Sequence, residues 1–502
     1  MPNIAAIDVG SNAIRMVVGR LNIDGKIETL ESLRLPVRLG QDAFSRGVFS
    51  EQTMQMAVDA FLRFKNIREV FDVEQVRTVA TSAMRETSNS EALIDMIARE
   101  TGFQVELISG DEEARLIHLA VINKVDLKQK RCVMIDIGGG SVEVTLSDGE
   151  RVLSTESYGM GTVRLLKKLE SNDGQNISFN HLLREYAESA RKHIDREIGN
   201  EKIEICLGTG GNIEEIGRLR RRLFKKERED LISLDELERL IEKLDELSVE
   251  ERIRKMDLRP DRADVILPAA VVLHMIVKET GVKEILIPCV GLKDGVLLDM
   301  LPVESGPQVP RRDQALESAD RMGRKYAYDS DHAYYTRRMA RQIFEMTAKL
   351  HMLSENELLL LEIAAMLHDI GHFINTLEHD QHGYYLLCHH VLIGLTSNEQ
   401  KIAANIVRYH RKENPAATDE NIRSLSTRDR LIVIKLCSIL RIADALDTSH
   451  TARINDILIE KNESGRWELS LRGDGEFMLE KWTLEKRKVL FQETFGISLV
   501  VV

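Results

Sequence analysis

The sequence predicts an α/β protein of two similar halves that enclose a cleft, followed by an all-helical domain and a small α+β domain. Three observations carry this prediction. Short β-rich runs alternate with helical patterns in the first 300 residues, and one strand-and-loop motif occurs there twice. A proline-rich segment follows, after which long helical patterns take over. Alternation of strands with helices is typical of α/β domains with a central sheet.

The elements of the first part follow from its hydrophobic patterning. Helices are predicted for Glu51–Val70 and Asn89–Thr101, and further helices are predicted to begin near Asp111 and Ile213. Runs rich in apolar and β-branched residues predict strands over 4–7, 16–20, 76–80, 105–108, 132–135, 143–146, 202–207 and 284–287.

The repeated motif predicts that the first part is a duplication. Residues 4–16 are I-A-A-I-D-V-G-S-N-A-I-R-M, and residues 132–144 are C-V-M-I-D-I-G-G-G-S-V-E-V. Each is a strand, an aspartate, a glycine turn and a second strand, and Asp8 and Asp136 are 128 residues apart. Chance recurrence of an Asp-x-Gly hairpin is the alternative. The matching flanks favour two related halves.

The proline-rich segment, residues 301–313, contains three prolines and predicts a linker. Beyond it, helices are predicted over 331–352, 354–368, 399–411 and 427–447, then strands over 457–460, 467–471 and 497–502 with a helix over 476–494. We therefore predict four domains: a first half over 1–125, a second half over 126–302, a helical domain over 313–450 and a small α+β domain over 453–502.

Composition excludes several classes of protein. A chain of 502 residues is too long for one hydrophobic core. Its net charge of −12 argues against general binding to DNA, because a phosphate backbone requires a basic surface. The five cysteines form no C-x-x-C pair, as expected of reduced thiols. With no signal peptide and no membrane span predicted, we expect a cytoplasmic protein.

Three glycine-rich turns are candidates for phosphate binding, because tight glycine turns expose backbone N–H groups to anions. They are Gly10–Asn12, Gly138–Ser141 and Gly208–Asn212, and a helix predicted after the third would favour a phosphate at its N-terminus. Asp8, Asp136 and Glu143 adjoin these turns, and Mg²⁺ prefers one or two carboxylates with water and substrate oxygens. The alternative for Asp136 is a turn cap without a metal.

Glu112 and Glu113 stand in the first turn of the helix predicted near Asp111. Acidic side chains there often only complement the helix dipole, which is the favoured interpretation for Glu112. For Glu113 a second interpretation is open, namely a general base that takes a proton from an attacking water. The residues themselves do not separate the two.

These motifs resemble the exopolyphosphatase/guanosine pentaphosphate phosphohydrolase (Ppx/GppA) family of the actin, Hsp70 and sugar-kinase superfamily. The resemblance spans about residues 4–300 and rests on the stretches AAIDVGSNAIRM, RTVATSAMRE, VELISGDEEARL, VMIDIGGGSVEV, SYGMGTVRL and LGTGGNIEEI. It implies duplicated ribonuclease-H-like (actin-like) halves with a cleft. The combination SG-x-EEAR with DIGGGS distinguishes the family from kinases and chaperones of the superfamily.

The resemblance also implies roles for single residues. Glu113 resembles the water-activating carboxylate, and Asp136 and Glu143 resemble the magnesium-site acids. The phosphate-binding positions it implies are Ser11, Asn12, Arg85, Gly138, Gly139, Gly140, Ser141, Gly208, Thr209 and Gly210. The chain departs from the family pattern at Ala13 and at Lys293-Asp294, and the second departure puts the grip on substrate there in doubt because lysine lacks the guanidinium fork.

The implied activity is Mg²⁺-dependent removal of the terminal phosphate from inorganic polyphosphate, and we expect the protein to form a homodimer. A guanosine pentaphosphate 5′-phosphohydrolase is the alternative enzyme. A non-catalytic sensor of polyphosphate or nucleotide is the alternative from another class. A kinase of the same superfamily fits less well, because the EEAR carboxylate points to water as the acceptor.

A basic run over residues 218–228 follows the third glycine turn. Such a run is usually a solvated helix face. The other interpretation is a surface that captures a long polyanion.

The helical domain carries a second candidate centre. His332, His368-Asp369 and Asp444 occur in an order that resembles HD-type metal phosphohydrolases, and His372, His382 and His410 are expected nearby. Imidazole and carboxylate together suit a divalent metal ion. Alternatives are that the domain shapes a polyphosphate channel and a dimer interface, with 408–412 contributing positive charge, or that this centre is the working one.

Overall fold

The computed structural model describes residues 2–22, 27–170, 202–301, 311–411, 414–462 and 466–502. The chain forms two compact units, Met1–Val309 and Pro310–Val502. The division falls inside the proline-rich segment. Within the described ranges, no helix is long and apolar enough to cross a membrane.

The first unit begins with a five-stranded mixed sheet of order β3-β2-β1-β4-β5. β2 is antiparallel to both β1 and β3, whereas β4 is parallel to both β1 and β5. Residues of β1 after its first position are buried, because the sheet centre is covered on both faces. The strands are β1 Asn3–Val9, β2 Ile14–Leu21, β3 Ile27–Leu35, β4 Val73–Ala80 and β5 Val105–Leu107.

A second mixed sheet of the same unit has the order β10-β11-β9-β6-β7-β8. Its hairpin β6–β7 continues antiparallel to β8, and β6 is parallel to β9, which is parallel to β11. Five of its strands thus repeat the order and directions of the first sheet. They are β6 Cys132–Ile137, β7 Val142–Ser147, β8 Val152–Tyr158, β9 Ile205–Thr209, β10 Leu231–Ser233 and β11 Glu284–Leu286.

Helices surround both sheets. Ile266–Thr280 supplies nine buried residues to the core of the second sheet, and Gly110–Lys124 is buried along most of its length. The helices of this unit are Leu39–Arg46, Glu51–Val70, Ser82–Arg85, Ser90–Thr101, Gly110–Lys124, Thr162–Glu170, Gly211–Leu223, Leu234–Asp245, Val249–Met256, Pro260–Ala263, Ile266–Thr280 and Leu292–Asp299.

The predicted α/β character and the helices over 51–70 and 89–101 are confirmed. Three strands that the sequence did not predict, β3, β8 and β10, lie at sheet edges and are only partly buried. The sequences of β3 and β8, IETLESLRL and VLSTESY, carry too few apolar residues for the pattern to stand out, and β10 is only three residues long.

The second unit is largely helical around one core. Thr427–Ala445 lies within it, with Leu436, Ile439 and Leu440 fully buried. Its helices are Arg311–Lys325, Ser330–Met346, Ala348–His351, Glu355–Leu367, His379–His389, Ser397–Arg408, Glu420–Arg423, Thr427–Ala445 and Met478–Phe495, with a 3₁₀ turn at Ile370–Phe373.

The last part of this unit is a three-stranded sheet with the helix Met478–Phe495, as the sequence predicts. Its strands are β12 Ile454–Lys461, β13 Trp467–Gly473 and β14 Leu499–Val501. The helix predicted over 331–352 is interrupted at Thr347. The Thr347 hydroxyl donates to the carbonyl of Ile343, a bond that competes with helix continuation.

Candidate functional site

The two repeated motifs place different pairs of side chains at equivalent positions. In the hairpin β1–β2 the register sets Asp8 opposite Arg15, and in the hairpin β6–β7 it sets Asp136 opposite Glu143. Arg15 donates to Asp8 at 2.8 Å, so the first pair compensates its own charge. The second pair is two buried acids. Like charges at directly opposite positions destabilise a hairpin unless a cation lies between them.

A third acid joins this pair from the helix Gly110–Lys124. Ser109 caps that helix, its hydroxyl accepting from the backbone N–H of Glu112. The first turn therefore has a fixed position, and it directs Glu113 towards the hairpin. Carboxylate oxygens of Glu113, Asp136 and Glu143 lie within 4.8 Å of one another.

Burial controls the protonation of the three acids. Burial raises the pKa of Glu113 well above its usual range, Glu143 adds to this, and the Arg85 guanidinium, 3.6 Å away, opposes it. Burial likewise raises the pKa of Asp136 to about 6, against a hydrogen bond from Thr209. Burial and then Asp136 raise the pKa of Glu143 to about 7. The three carboxylates together are costly without a cation.

The cluster has the donor set that a hard divalent cation requires. Ser157 donates to Glu143 Oε1 at 2.9 Å and so fixes the carboxylate. Glu143 Oε2 and Glu113 Oε2 are buried and have no hydrogen-bond partner among the described residues. Buried carboxylate oxygens are rarely left this way, and oxygen ligands suit Mg²⁺. The residues therefore fit a magnesium ion.

The glycine loops meet in front of these acids. The N–H of Gly10 donates to Ala13 O and that of Gly138 to Ser141 O, so the two repeats form the same turn. A Cβ on Gly139 would lie 3.0 Å from Ser11 Cβ. The close approach of the loops thus favours glycine at this position.

The loop Gly138–Ser141 is fixed from behind by the start of the helix Thr162–Glu170. The N–H groups of Thr162 and Val163 donate to the carbonyls of Gly138 and Gly139, at 3.1 and 2.8 Å. A Cβ on Gly161 would lie 2.3 Å from Gly140 backbone. The N–H groups at this helix start are therefore used to hold the loop.

The third turn leads into the helix Gly211–Leu223. Gly210 has a φ of 91°, which favours glycine, and it lies beside Asp136. Asn212 accepts from the guanidinium of Arg262, a residue that the sequence did not single out. Arg262 is 5% exposed, and its Nε has no hydrogen-bond partner within the described residues.

Among the described residues, no acidic side chain forms an ion pair with Arg262. Burial, then Arg15 and Arg34, lower the pKa of Arg262 to about 9. By contrast, Arg34 and Asp261 form an ion pair. A buried arginine among other arginines is suited to bind an anionic oxygen.

The glycine turns, Glu113, Asp136 and Arg262 line one cleft of the first unit, with a volume of ≈ 260 Å³. Its lining combines acids and cations around the glycine turns. Predicted site residues on it are Asp8, Ser11, Asn12, Glu113, Asp136, Gly138, Gly139, Ser141 and Gly210.

Other predicted residues stand behind the lining. Thr209 donates to Asp136 at 2.6 Å and Arg85 to Ile108 O at 2.5 Å. Glu143 contacts the lining acids from β7. Gly208 lies within β9 with Ile213 against it, and Gly140 packs on Ser82.

Comparison with known proteins identifies the first unit. The model of the Ppx/GppA phosphatase family matches residues 20–304, and the model of Ppx/GppA phosphatase domain III matches residues 315–489. The first match alone covers more than half of the chain. The chain belongs to the Ppx/GppA phosphatase family. Phosphatases of this family hydrolyse phosphoanhydride bonds and depend on divalent metal ions.

Among curated relatives, a guanosine-5′-triphosphate,3′-diphosphate pyrophosphatase of Photobacterium profundum is 24% identical over 446 residues, 88% of this chain and 86% of its own. Among solved structures, an exopolyphosphatase from Cytophaga hutchinsonii is 26% identical with a TM-score of 0.56, over 59% of this chain and 97% of its own. A Ppx/GppA enzyme of Aquifex aeolicus, 24% identical with a TM-score of 0.50 over 59% and 99%, shares the fold.

In this phosphatase the basic run over 218–228 is largely compensated. Arg220 forms a buried ion pair with Glu236, and Arg221 and Arg228 pair with Glu229 and Asp230. Arg218 reaches the cleft lining but pairs with Glu215. These contacts fit the interpretation as an ordinary helix face and its following turn.

The departures from the family pattern lie at the cleft as well. Ala13 and Lys293 both line it. The ammonium group of Lys293 is 2.7 Å from Asp294, and Asp294 accepts from the N–H of Gly291. Asp294 thus caps the start of the helix Leu292–Asp299, and Lys293 is half-buried and paired with it.

The second unit of the phosphatase holds the His/Asp cluster that the sequence predicts. Nε2 of His332 is 3.2 Å from Nε2 of His368, and Asp444 Oδ1 lies 3.6 and 3.5 Å from these two atoms. Asp369 Oδ2 is 3.6 Å from His368 Nε2. The four predicted residues therefore lie together.

Further histidines surround Asp369. Its Oδ1 is 3.6 Å from Nε2 of both His372 and His410, and 3.4 Å from Nε2 of His379. His379, and not His382, occupies this place, because the helix His379–His389 begins there. Because a 3₁₀ turn and not an α-helix follows Asp369, α-helical spacing in the sequence does not predict that His379 lies beside it.

The charges of this cluster are mutually compensating. Despite burial, His332 and His368 lower the pKa of Asp444 well below its usual range, and His368 with His372 does the same for Asp369. Burial alone would lower the pKa of His332, yet Asp444 and Asp447 raise it to about 9. Buried carboxylates and imidazoles at such distances fit a divalent ion.

Proposed function

We propose that the chain is a Mg²⁺-dependent exopolyphosphatase whose general base is Glu113. The observation that carries the proposal is the position of Glu113, whose buried Oε2 has no hydrogen-bond partner among the described residues, beside the opposed acids Asp136 and Glu143. All three adjoin loops built from glycine at points of close backbone approach. Such a site suits a phosphate chain end, a metal ion and a water.

In this mechanism Asp136 and Glu143 would hold the magnesium ion, with Asp8 close by and paired to Arg15. When bound, the ion neutralises charge on phosphate oxygens as the bond to the leaving phosphate breaks. The loops around Ser11 and Gly139 position the chain end. Arg262 binds an anionic oxygen through its unpartnered guanidinium edge.

Glu113 takes a proton from the attacking water at its Oε2. The burial that raises its pKa makes it a stronger base than an exposed glutamate. Arg85, 3.6 Å away, orients the carboxylate. Polyphosphate loses one terminal orthophosphate for each water consumed.

The likeness to the exopolyphosphatase from Cytophaga hutchinsonii, which aligns with this chain over 97% of its own length, favours inorganic polyphosphate as the substrate.

The alternative enzyme is a guanosine pentaphosphate 5′-phosphohydrolase. The name of the Photobacterium profundum relative, which aligns over 88% of this chain, supports it. Both reactions use one anhydride site, so only the substrate separates them. A non-catalytic sensor of either ligand is the third candidate.

The deciding experiment measures phosphate release from long-chain polyphosphate and, separately, from guanosine pentaphosphate, with Mg²⁺. We expect release from polyphosphate by the wild type and release at least about 100-fold slower by Glu113→Gln. Release only from the nucleotide would establish the alternative enzyme. Binding of either ligand without release would establish a sensor.

We also propose that the two sheets of the first unit derive from a duplication with the actin-like fold, supported by their equal strand order and by the equivalent turns at Gly10 and Gly138. In the second unit we propose an HD-type domain in which His332, His368, Asp369 and Asp444 bind one divalent ion. The cluster geometry supports this. In this proposal, the ion of the second unit and the ion of the cleft bind independently of each other.

A further inference from the structure

Asp369 lies between two pairs of imidazole rings in the second unit. Nε2 atoms of His332 and His368 face each other at 3.2 Å, and those of His379 and His410 at 3.3 Å. Nitrogen atoms this close share either a proton or a cation, because two lone pairs repel each other. The surroundings of each pair distinguish the two cases.

In the pair His379 and His410, both Nδ1 atoms are directed at backbone carbonyls. His379 Nδ1 is 3.1 Å from Thr376 O, and His410 Nδ1 is 2.6 Å from Val407 O. A carbonyl only accepts, so each Nδ1 carries a proton and each neutral ring has its lone pair on Nε2. Metal-bound histidines usually donate their other N–H to a carbonyl or carboxylate in this way.

The distances to Asp369 favour a cation over a shared proton. Asp369 Oδ1 is 3.4 Å from His379 Nε2 and 3.6 Å from His410 Nε2, too far for hydrogen bonds. They match the spacing between ligands around one ion with bonds of about 2.1 Å, at angles of roughly 100–120°. Asp369 Oδ1 is also buried with no hydrogen-bond partner among the described residues.

The pair His332 and His368 has the same construction. His332 Nδ1 donates to Asp447 at 2.8 Å, and His368 Nδ1 donates to Ala365 O at 2.8 Å. Asp369 turns its other oxygen, Oδ2, to His368 at 3.6 Å. One carboxylate therefore faces both pairs, with one oxygen for each.

We propose that this unit contains a two-metal hydrolase centre. One ion is held by His332, His368 and Asp444, and a second ion is held by His379 and His410. Asp369 bridges the two ions. His372 Nε2, 3.6 Å from Asp369 Oδ1, completes the second set. The proposal rests on the single-ion site proposed above and extends it. Imidazole-rich ligand sets select transition metals over magnesium.

Two ions that share a carboxylate are suited to hydrolyse phosphate esters, since together they stabilise the attacking and leaving oxygens. Arg411 adds an anion contact: its guanidinium lies 3.5 Å from Asp369 and 3.8 Å from Asp444, and its Nε has no hydrogen-bond partner within the described ranges. In the reaction water attacks phosphorus, and the bond from phosphorus to the ester oxygen breaks. One proton of the water ends on the leaving alcohol.

The metal test uses the full chain with Asp136→Asn and Glu143→Gln, so that the cleft holds no ion. Titration with Mn²⁺, followed by equilibrium dialysis and elemental analysis, should give about two ions per chain. One ion per chain would leave the single-ion site standing and overturn the second. No ion would overturn both, while the cleft proposal would be untouched.

Variants locate the second ion. In that background His379→Gln should lower the content to about one Mn²⁺ per chain, whereas His382→Gln, three residues along the same helix, should leave two. The Co²⁺ form gives a readout that a folding defect does not mimic, since its visible absorption reports imidazole ligation and should fall by about half only in His379→Gln. Equal spectra in the two variants would contradict the assignment.

The activity test uses Mn²⁺ with p-nitrophenyl phosphate and bis(p-nitrophenyl) phosphate in the Glu113→Gln chain. Release of p-nitrophenol from the first identifies a monoesterase and from the second a diesterase. Either should fall at least 100-fold on adding His379→Gln and should persist with His382→Gln. Absence of release from both substrates would overturn the hydrolase assignment.

Discussion

Glu112 and Glu113 are consecutive residues of one helix, yet their carboxylates contact different groups. Glu112 accepts from Arg115 through both carboxylate oxygens, at 2.7 and 2.9 Å. Glu113 lies with Asp136 and Glu143 and keeps one oxygen without a hydrogen-bond partner among the described residues. One acid is therefore structural, and the other is available for chemistry.

The two acids predict opposite outcomes for the same substitution. Glu113→Gln should lower kcat for polyphosphate by roughly 10²–10⁴-fold, the usual contribution of a general base. Mg²⁺ affinity, measured by calorimetry, should stay within a few-fold of wild type if Glu113 acts as base and not as ligand. A large loss of Mg²⁺ binding would instead assign Glu113 to the metal.

Glu112→Gln is the matched control for that experiment. It removes one of the two carboxylates that pair with buried Arg115, the other being Asp299, so the first unit should lose up to about 3 kcal/mol of stability. The folded fraction should retain kcat within a few-fold. A dead but fully folded Glu112→Gln protein would contradict the division of roles between the two residues.

The raised pKa values at the cleft predict proton-linked magnesium binding. Asp136 and Glu143, with pKa values of about 6 and about 7, hold protons that Mg²⁺ must displace. The apparent Mg²⁺ dissociation constant should therefore fall by roughly tenfold per pH unit for each proton displaced, between about pH 6 and pH 7, and level off near pH 8.

The same shifts set the sign of the stability change. A carboxyl whose pKa is raised on folding stabilises the fold at low pH, and this contribution is lost as pH rises through the folded pKa. Magnesium restores it. The increase in Tm on adding Mg²⁺ should thus be larger at pH 8 than at pH 5.5, and an equal increase at both values would contradict the linkage.

Arg262 predicts a substrate-binding defect. Within the described part of the chain no acidic group forms an ion pair with this buried cation, so Arg262→Ala should raise the KM for polyphosphate at least tenfold, with a smaller change in kcat. Arg254→Ala, on the exposed face of the helix Val249–Met256, is the control. Unchanged KM in Arg262→Ala would remove this residue from the substrate site.

The sequence predicts which motifs carry the acids, but contacts across distant segments decide how they act. Asp8 and Asp136 occupy equivalent motif positions, and only the residue opposite each in its hairpin, Arg15 or Glu143, separates an ion pair from a candidate metal site. That register is local and could have been counted from the two motifs.

Arg262 could not be found in this way, because its partner Asn212 is 50 residues earlier and no local pattern links them. His379 was missed for a related reason. Helical spacing predicts that His372 lies near Asp369. However, the α-helix ends at Leu367 and the next α-helix begins only at His379. Irregular backbone between two functional residues hides their proximity from any periodic analysis.

His118 predicts how acid destabilises the first unit. It is fully buried in the helix Gly110–Lys124, with Nε2 2.9 Å from Ser147 Oγ, and burial lowers its pKa to about 4. The unfolded chain, with a histidine pKa near 6.5, therefore binds a proton that the folded chain excludes. Stability from this group is present above about pH 6.5 and is lost as pH falls towards 4, about 3 kcal/mol in all.

The measurement compares wild type with His118→Gln at pH 7.5 and pH 5. Both tryptophans, Trp467 and Trp482, lie in the second unit, so fluorescence would follow the wrong unit. Hydrogen exchange of the helix Gly110–Lys124 reports the right one. Other groups that titrate in this range contribute equally to both proteins, so the wild type should lose about 2 kcal/mol more protection than His118→Gln between the two pH values. Equal losses would mean that His118 is already protonated in the folded protein, or that its burial is relieved before the helix opens.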